Sequence, residues 1–89
     1  MTRYYLDVIN GLGLARDQEG EEFPNLAAAR DKAAQSIWSI LSDELKSAGL
    51  INLQGRIEIA DRQGSIVLTL PFREAVDIRH DDSSGQEDT

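Results

Sequence analysis

Residues 26–48, LAAARDKAAQSIWSILSDELKSA, set the strongest constraint on this chain. At about 100° per residue, Leu26, Ala33, Ala34, Ile37, Ile40, Leu41, Leu45 and Ala48 fall on one face, with Trp38 at its margin. The alanines raise helix propensity, and the bulky apolar residues sit in the second half. Asn25 precedes the stretch as an N-cap whose side-chain oxygen can take a first-turn amide, and Gly49 follows it as a C-terminal stop. A single amphipathic helix cannot bury its own apolar stripe. Its partner must come from the flanking segments.

Those segments read as strands. RYYLDVIN alternates Tyr4, Leu6 and Val8 with Tyr5, Asp7 and Ile9, and Asn10-Gly11 tolerates the positive φ of a hairpin. Leu12 to Arg16 reads as a short return strand, followed by a turn at Asp17–Gly20 and extended Glu21 to Phe23. Beyond the helix, Ile57 and Ile59 alternate with Arg56 and Glu58. Asp61–Gly64 turns the chain, and Ser65 to Leu70 returns. An even loop is expected, because it joins Ile66, Leu68 and Leu70 with Ile57 and Ile59 on one face; a three-residue loop with a glycine bulge would shift that register by one. Pro71 ends the ladder or marks an edge, and Phe72 to Ile78 reads either as more strand or as a helical turn. The expected architecture is α+β, ordered β-β-α-β-β, with one long helix on one face of a four-stranded antiparallel sheet. Residues 1–79 form one domain, and the polar, acidic residues 80–89 form a disordered tail.

Charge narrows the partners. The chain has 89 residues, 16 of them acidic and 9 basic, for a net charge of −7. The basic residues are scattered, so neither direct nucleic-acid contact nor an anionic membrane surface is expected. With no cysteine, thiol catalysis and thiolate metal sites are excluded. MTRYYLDVING lacks the apolar run of a signal peptide, and no stretch approaches the roughly 20 apolar residues of a membrane span. The expected location is the cytoplasm.

The chemistry-bearing candidates favour plain readings. Asp17, Glu19, Glu21 and Glu22 crowd together, but a calcium-loop template fails: with Gly20 as the central glycine, the first and closing ligand positions fall on Ala15 and Leu26. Asp-x-x-Gly recurs as Asp61 to Gly64 between two strands, so turn chemistry is the expected meaning of both copies. Gly11-Leu12-Gly13 lacks the third glycine and following helix of a dinucleotide loop. His80 is the only histidine, and Ser36, Ser39 and Ser42 have no histidine beside them. No cofactor and no metal ligand set is expected. Arg30 and Glu44 project toward the apolar stripe; either they snorkel, or Arg30 pairs with a sheet carboxylate such as Asp7 or Asp17.

If Tyr4, Leu6 and Val8 meet the helix, the opposite face of the sheet is uncovered. Tyr5 and Ile9 on the first strand, with Val67 and Thr69 on the last, are the expected interface residues there.

Three motifs in order, "RYYLDV", "RDQEGEEFPNLAAAR" and "GRIEIADRQGSIVLTLPF", give a resemblance over residues 3 to about 79. The chain resembles a family of short alphaproteobacterial proteins known only as a domain of unknown function. That family's first hairpin reads closer to Asp-Gly-Gly, where this chain has Asn10-Gly11-Leu12-Gly13. The resemblance carries over no catalytic or binding residue. A looser, fold-level similarity links the opening hairpin and helix to antitoxin-type domains. The leading expectation is a non-enzymatic protein-interaction module that forms a homodimer through the open sheet face or an edge strand. The alternative is a regulatory or antitoxin-like subunit that binds a basic partner, and a small metal-dependent enzyme comes third.

Overall fold

In a computed structural model the chain forms an α+β fold, described here for residues 1–11 and 13–79. In chain order the elements are β1 (Thr2–Asn10), β2 (Gly13–Ala15), β3 (Glu21–Phe23), α1 (Leu26–Ala48), β4 (Arg56–Ala60), β5 (Ile66–Pro71) and a 3-10 turn (Phe72–Glu74). The expected tail, residues 80–89, lies outside the described residues. No helix among the described residues is long and apolar enough to cross a membrane.

The helix begins and ends where its caps place it. Asn25 Oδ1 accepts from the Ala28 N–H at 2.9 Å, and the Gly49 N–H donates to the Leu45 carbonyl at 2.9 Å. Ala29, Ala33, Ala34, Ile37 and Leu41 are buried, so the small residues let the first half of α1 lie close to the sheet. Leu45 and Ala48, expected on that face, are exposed. Glu44 shows why burial ends there: its Oε1 accepts the Asn52 N–H at 3.3 Å, so the last turn holds the following loop rather than the sheet.

The sheet has five strands instead of four. Its order is β2-β1-β4-β5, and β3 joins the same edge of β1 as β2, with every pairing antiparallel. The extra strand is three residues long and held at two points. Phe23 is buried beside Tyr4, ring centroids 6.2 Å apart, and Arg3 Nε reaches Glu22 Oε2 at 3.2 Å. One face, carrying Tyr4, Leu6, Val8, Ile57, Ile59, Leu68 and Leu70, packs with α1 and Phe23 into the core.

The β4–β5 hairpin closes with a three-residue loop and a glycine bulge, not with the expected even loop. The Asp61 N–H donates to the Ser65 carbonyl, and the Gly64 N–H to the Asp61 carbonyl, closing a tight turn around Arg62-Gln63-Gly64. Gly64 takes a φ of 84°, as a three-residue loop with a glycine bulge requires. A second irregularity follows: Ala60 opposes Ile66 while Ile59 opposes Leu68, leaving Val67 as the extra residue. The bulge restores the even register, so Leu68 and Leu70 face the core opposite Ile59 and Ile57. Ile66, expected on that face, is instead 55% exposed.

Phe72 does not extend the strand. Its N–H donates to the Gly55 carbonyl at 2.9 Å, and its ring is 1% exposed. A Cβ on Gly55 would lie 2.5 Å from that ring, so only glycine lets the chain pass this close. Trp38 Nε1 donates to the Ala75 carbonyl at 2.6 Å and ties the segment after the 3-10 turn to the helix. Trp38 is therefore half exposed yet fixed.

Candidate interaction surface

The acidic stretch completes a broken ladder. On its outer edge β1 pairs with β3 at Thr2–Tyr4 and with β2 at Val8–Asn10, so residues 5–7 have no strand beside them. The connecting loop 16–20 fills the gap with the side chain of Asp17. Its Oδ2 accepts the Leu6 N–H at 3.1 Å and its Oδ1 accepts the Gly20 N–H at 3.0 Å. The Asp17 N–H in turn donates to Asp7 Oδ1 at 2.8 Å. Asp17 thus stands in for the missing backbone acceptor, because a buried amide left unpaired is costly. Gly20 makes the close fit possible: it takes a φ of 69°, and a Cβ there would lie 2.8 Å from the Tyr5 ring.

The remaining acids of the stretch disperse. Glu22 pairs with Arg3, whose Nη1 also donates to the Glu19 carbonyl at 2.7 Å, and Glu21 sits opposite Tyr4. At the second Asp-x-x-Gly, Asp61 Oδ1 accepts the N–H groups of Gln63 and Ser65, both at 2.9 Å. Both aspartates therefore work as turn fasteners. Among the described residues no three acidic or histidine side chains gather in a way that could hold a metal ion. Arg30 is exposed and pairs with neither Asp7 nor Asp17, which make the bonds given above. A hollow of about 360 Å³ lies between the two turns beside Tyr5, lined also by Asp7, Arg16, Asp17 and Arg62. Its aspartates are already engaged by backbone amides.

The face of the sheet away from α1 carries Tyr5, Asp7 and Ile9. In the register they sit opposite Ala60, Glu58 and Arg56 of β4, and Glu58 in turn sits opposite Thr69. The predicted residues Tyr5, Ile9 and Thr69 therefore share this surface, and Val67 stands at the bulge on its border, 41% exposed. They do not form one apolar patch. A polar row of Asp7, Glu58 and Thr69 separates Tyr5 with Ala60 at one end from Ile9 at the other. Asp7 directly opposite Glu58 is an unfavourable like-charge pair, eased by Arg56 Nε on Glu58 Oε2 at 3.0 Å.

Leu14 belongs to the surface too. It pairs with Ile9 and is half exposed. Its place could have been read from a two-residue hairpin after Asn10, which sets Leu14 opposite Ile9.

The fold defines the class: a small α+β domain with one long helix packed against a mainly antiparallel sheet. A family model described as a domain of unknown function, DUF6894, matches residues 3–73, and the chain belongs to that family. No curated protein and no solved structure matches the chain.

Proposed function

We propose that this protein is a non-enzymatic, cytoplasmic interaction module that self-associates either through the open face of its sheet, where Tyr5, Ile9 and Thr69 lie with Val67 at the border, or through an edge strand. One observation carries the reading. The helix packs on a single face, and among the described residues no strand or helix covers the opposite face, which the 16–20 loop touches only near Tyr5, or the outer edge of β5, while Ile66 and Val67 stand exposed at that border. Asp17 and Asp61 are engaged with backbone amides and Glu22 with Arg3, which supports an interaction role over a reaction.

Size-exclusion chromatography with light scattering tests it. The expected result is a mass that rises from one chain toward two over the micromolar to millimolar range. One chain mass at every concentration contradicts self-association.

A further inference from the structure

The uncovered side of the sheet has two parts, a face and an edge. Resting on the self-association just proposed, we infer that the contact is the edge: β5 of one copy pairs antiparallel with β5 of a second copy, about a two-fold axis at Thr69.

The phase of the ladder comes first. The Phe72 N–H bonds to the Gly55 carbonyl, in register with the Arg56–Pro71 pair. Bonded and non-bonded pairs alternate along an antiparallel ladder. Leu70–Ile57 and Leu68–Ile59 are therefore the bonded pairs. Thr69, between them, turns its N–H and C=O away from β4, as does Pro71, whose missing N–H costs the ladder nothing there. Among the described residues no hydrogen bond outside the β4 ladder reaches Thr69.

Length and charge single out this edge. The opposite edge of the sheet is split between two three-residue strands, and the opening between them is closed by Asp17. Edge strands are commonly guarded by charges. Ser65 to Phe72, SIVLTLPF, carries none. Two copies of a chain with a net charge of −7 repel, so their contact is best made where charge is absent. At β3 the edge carries Glu21 and Glu22, which would meet their own kind. On the open face, stacking two copies would bury Asp7 and Glu58, a cost edge pairing avoids.

The register follows from the ends of the strand. The bulge at Val67 and the proline at 71 bracket a regular stretch whose midpoint is Thr69. About that midpoint, Thr69 exchanges both backbone bonds with Thr69 of the second copy. The pairing is isologous and closes on itself, which limits growth into fibres. It joins the two open faces into one continuous surface, with the threonine side chains adjacent on it.

The chain has no cysteine, so Thr69→Cys forms only a symmetric cross-link. A bonded antiparallel pair holds its Cα atoms about 5.5 Å apart, inside the span a disulfide bridges. Under mild oxidation T69C is expected to cross-link on the order of tenfold faster than Gln63→Cys at the tip of the turn. Thr69→Pro removes an N–H that faces outward, so it is expected to keep the wild-type melting curve and yield a monomer. Thr69→Lys, which sets two like charges side by side, should do the same. A dimer by light scattering whose T69C cross-links no faster than Q63C, or which survives T69P and T69K, overturns the edge pairing and leaves self-association standing. A monomer at all concentrations overturns both. Should T69P fail to fold through the φ restraint of proline, T69K decides: a T69K variant that stays dimeric overturns the edge pairing.

Discussion

Phe72→Ala is expected to lose about 3–5 kcal/mol of stability, the usual cost of emptying a fully buried aromatic site. A chain of this size has roughly 5–10 kcal/mol in total, so the variant should unfold at a much lower urea midpoint and be partly unfolded at 37 °C. The effect is large because the ring does more than fill space. It packs on Gly55, its N–H closes the ladder at the Gly55 carbonyl, and it begins the segment that Trp38 clamps through the Ala75 carbonyl. The cavity cannot easily collapse, since the backbone at Gly55 is already held by the hydrogen bond. Urea unfolding followed by Trp38 fluorescence checks this. A midpoint within error of wild type would mean that the ring is not the core residue described.

Asp17→Ala is the second large effect. It leaves the Leu6 and Gly20 amides without their acceptor, in a part-buried setting, and should cost about 2–4 kcal/mol. Glu19→Ala makes the same change of charge two residues away and should cost under about 0.5 kcal/mol, because the bond at that position goes to the backbone carbonyl and survives. The contrast separates two meanings of the acidic stretch. If the negative charge itself mattered, the two variants would behave alike. If the aspartate completes the edge of β1, only D17A is destabilised, and the Leu6 amide of that variant should exchange with solvent faster than in wild type.

How much of this was legible in the sequence depends on what each feature answers to. The bounds of α1 were, because Asn25 and Gly49 act on their own neighbours. The core pairing of β4 with β5 was legible as well, though by a different route: a three-residue loop and a compensating bulge restored the register that an even loop would have set. Glu21 to Phe23 was read as extended, but its place in the sheet was missed because three residues offer no alternation to read. It exists through Phe23 in the core and Arg3 on Glu22, contacts that only the folded chain makes. The role of Asp17 was hidden for a related reason. A broken ladder on β1 becomes visible only when β2 and β3 are both in place. Phe72 was undecided because Pro71-Phe72 suits a strand end or a helical turn equally, and the space above Gly55 decides between them. Val67, expected on the open face by simple alternation, stands instead at the bulge; the face of Thr69 followed from its place on the last strand. Which way the Thr69 backbone points did not, since it depends on the phase set at Gly55–Phe72.

Amide hydrogen exchange at Thr69, followed by NMR over a hundredfold range of protein concentration, bears most directly on how two copies meet. The account predicts that Thr69 exchanges fast in dilute protein and becomes protected as concentration rises, while the core amides of Leu68 and Leu70 stay protected throughout. Fast exchange of Thr69 at every concentration, in a sample that light scattering shows to be dimeric, would contradict it.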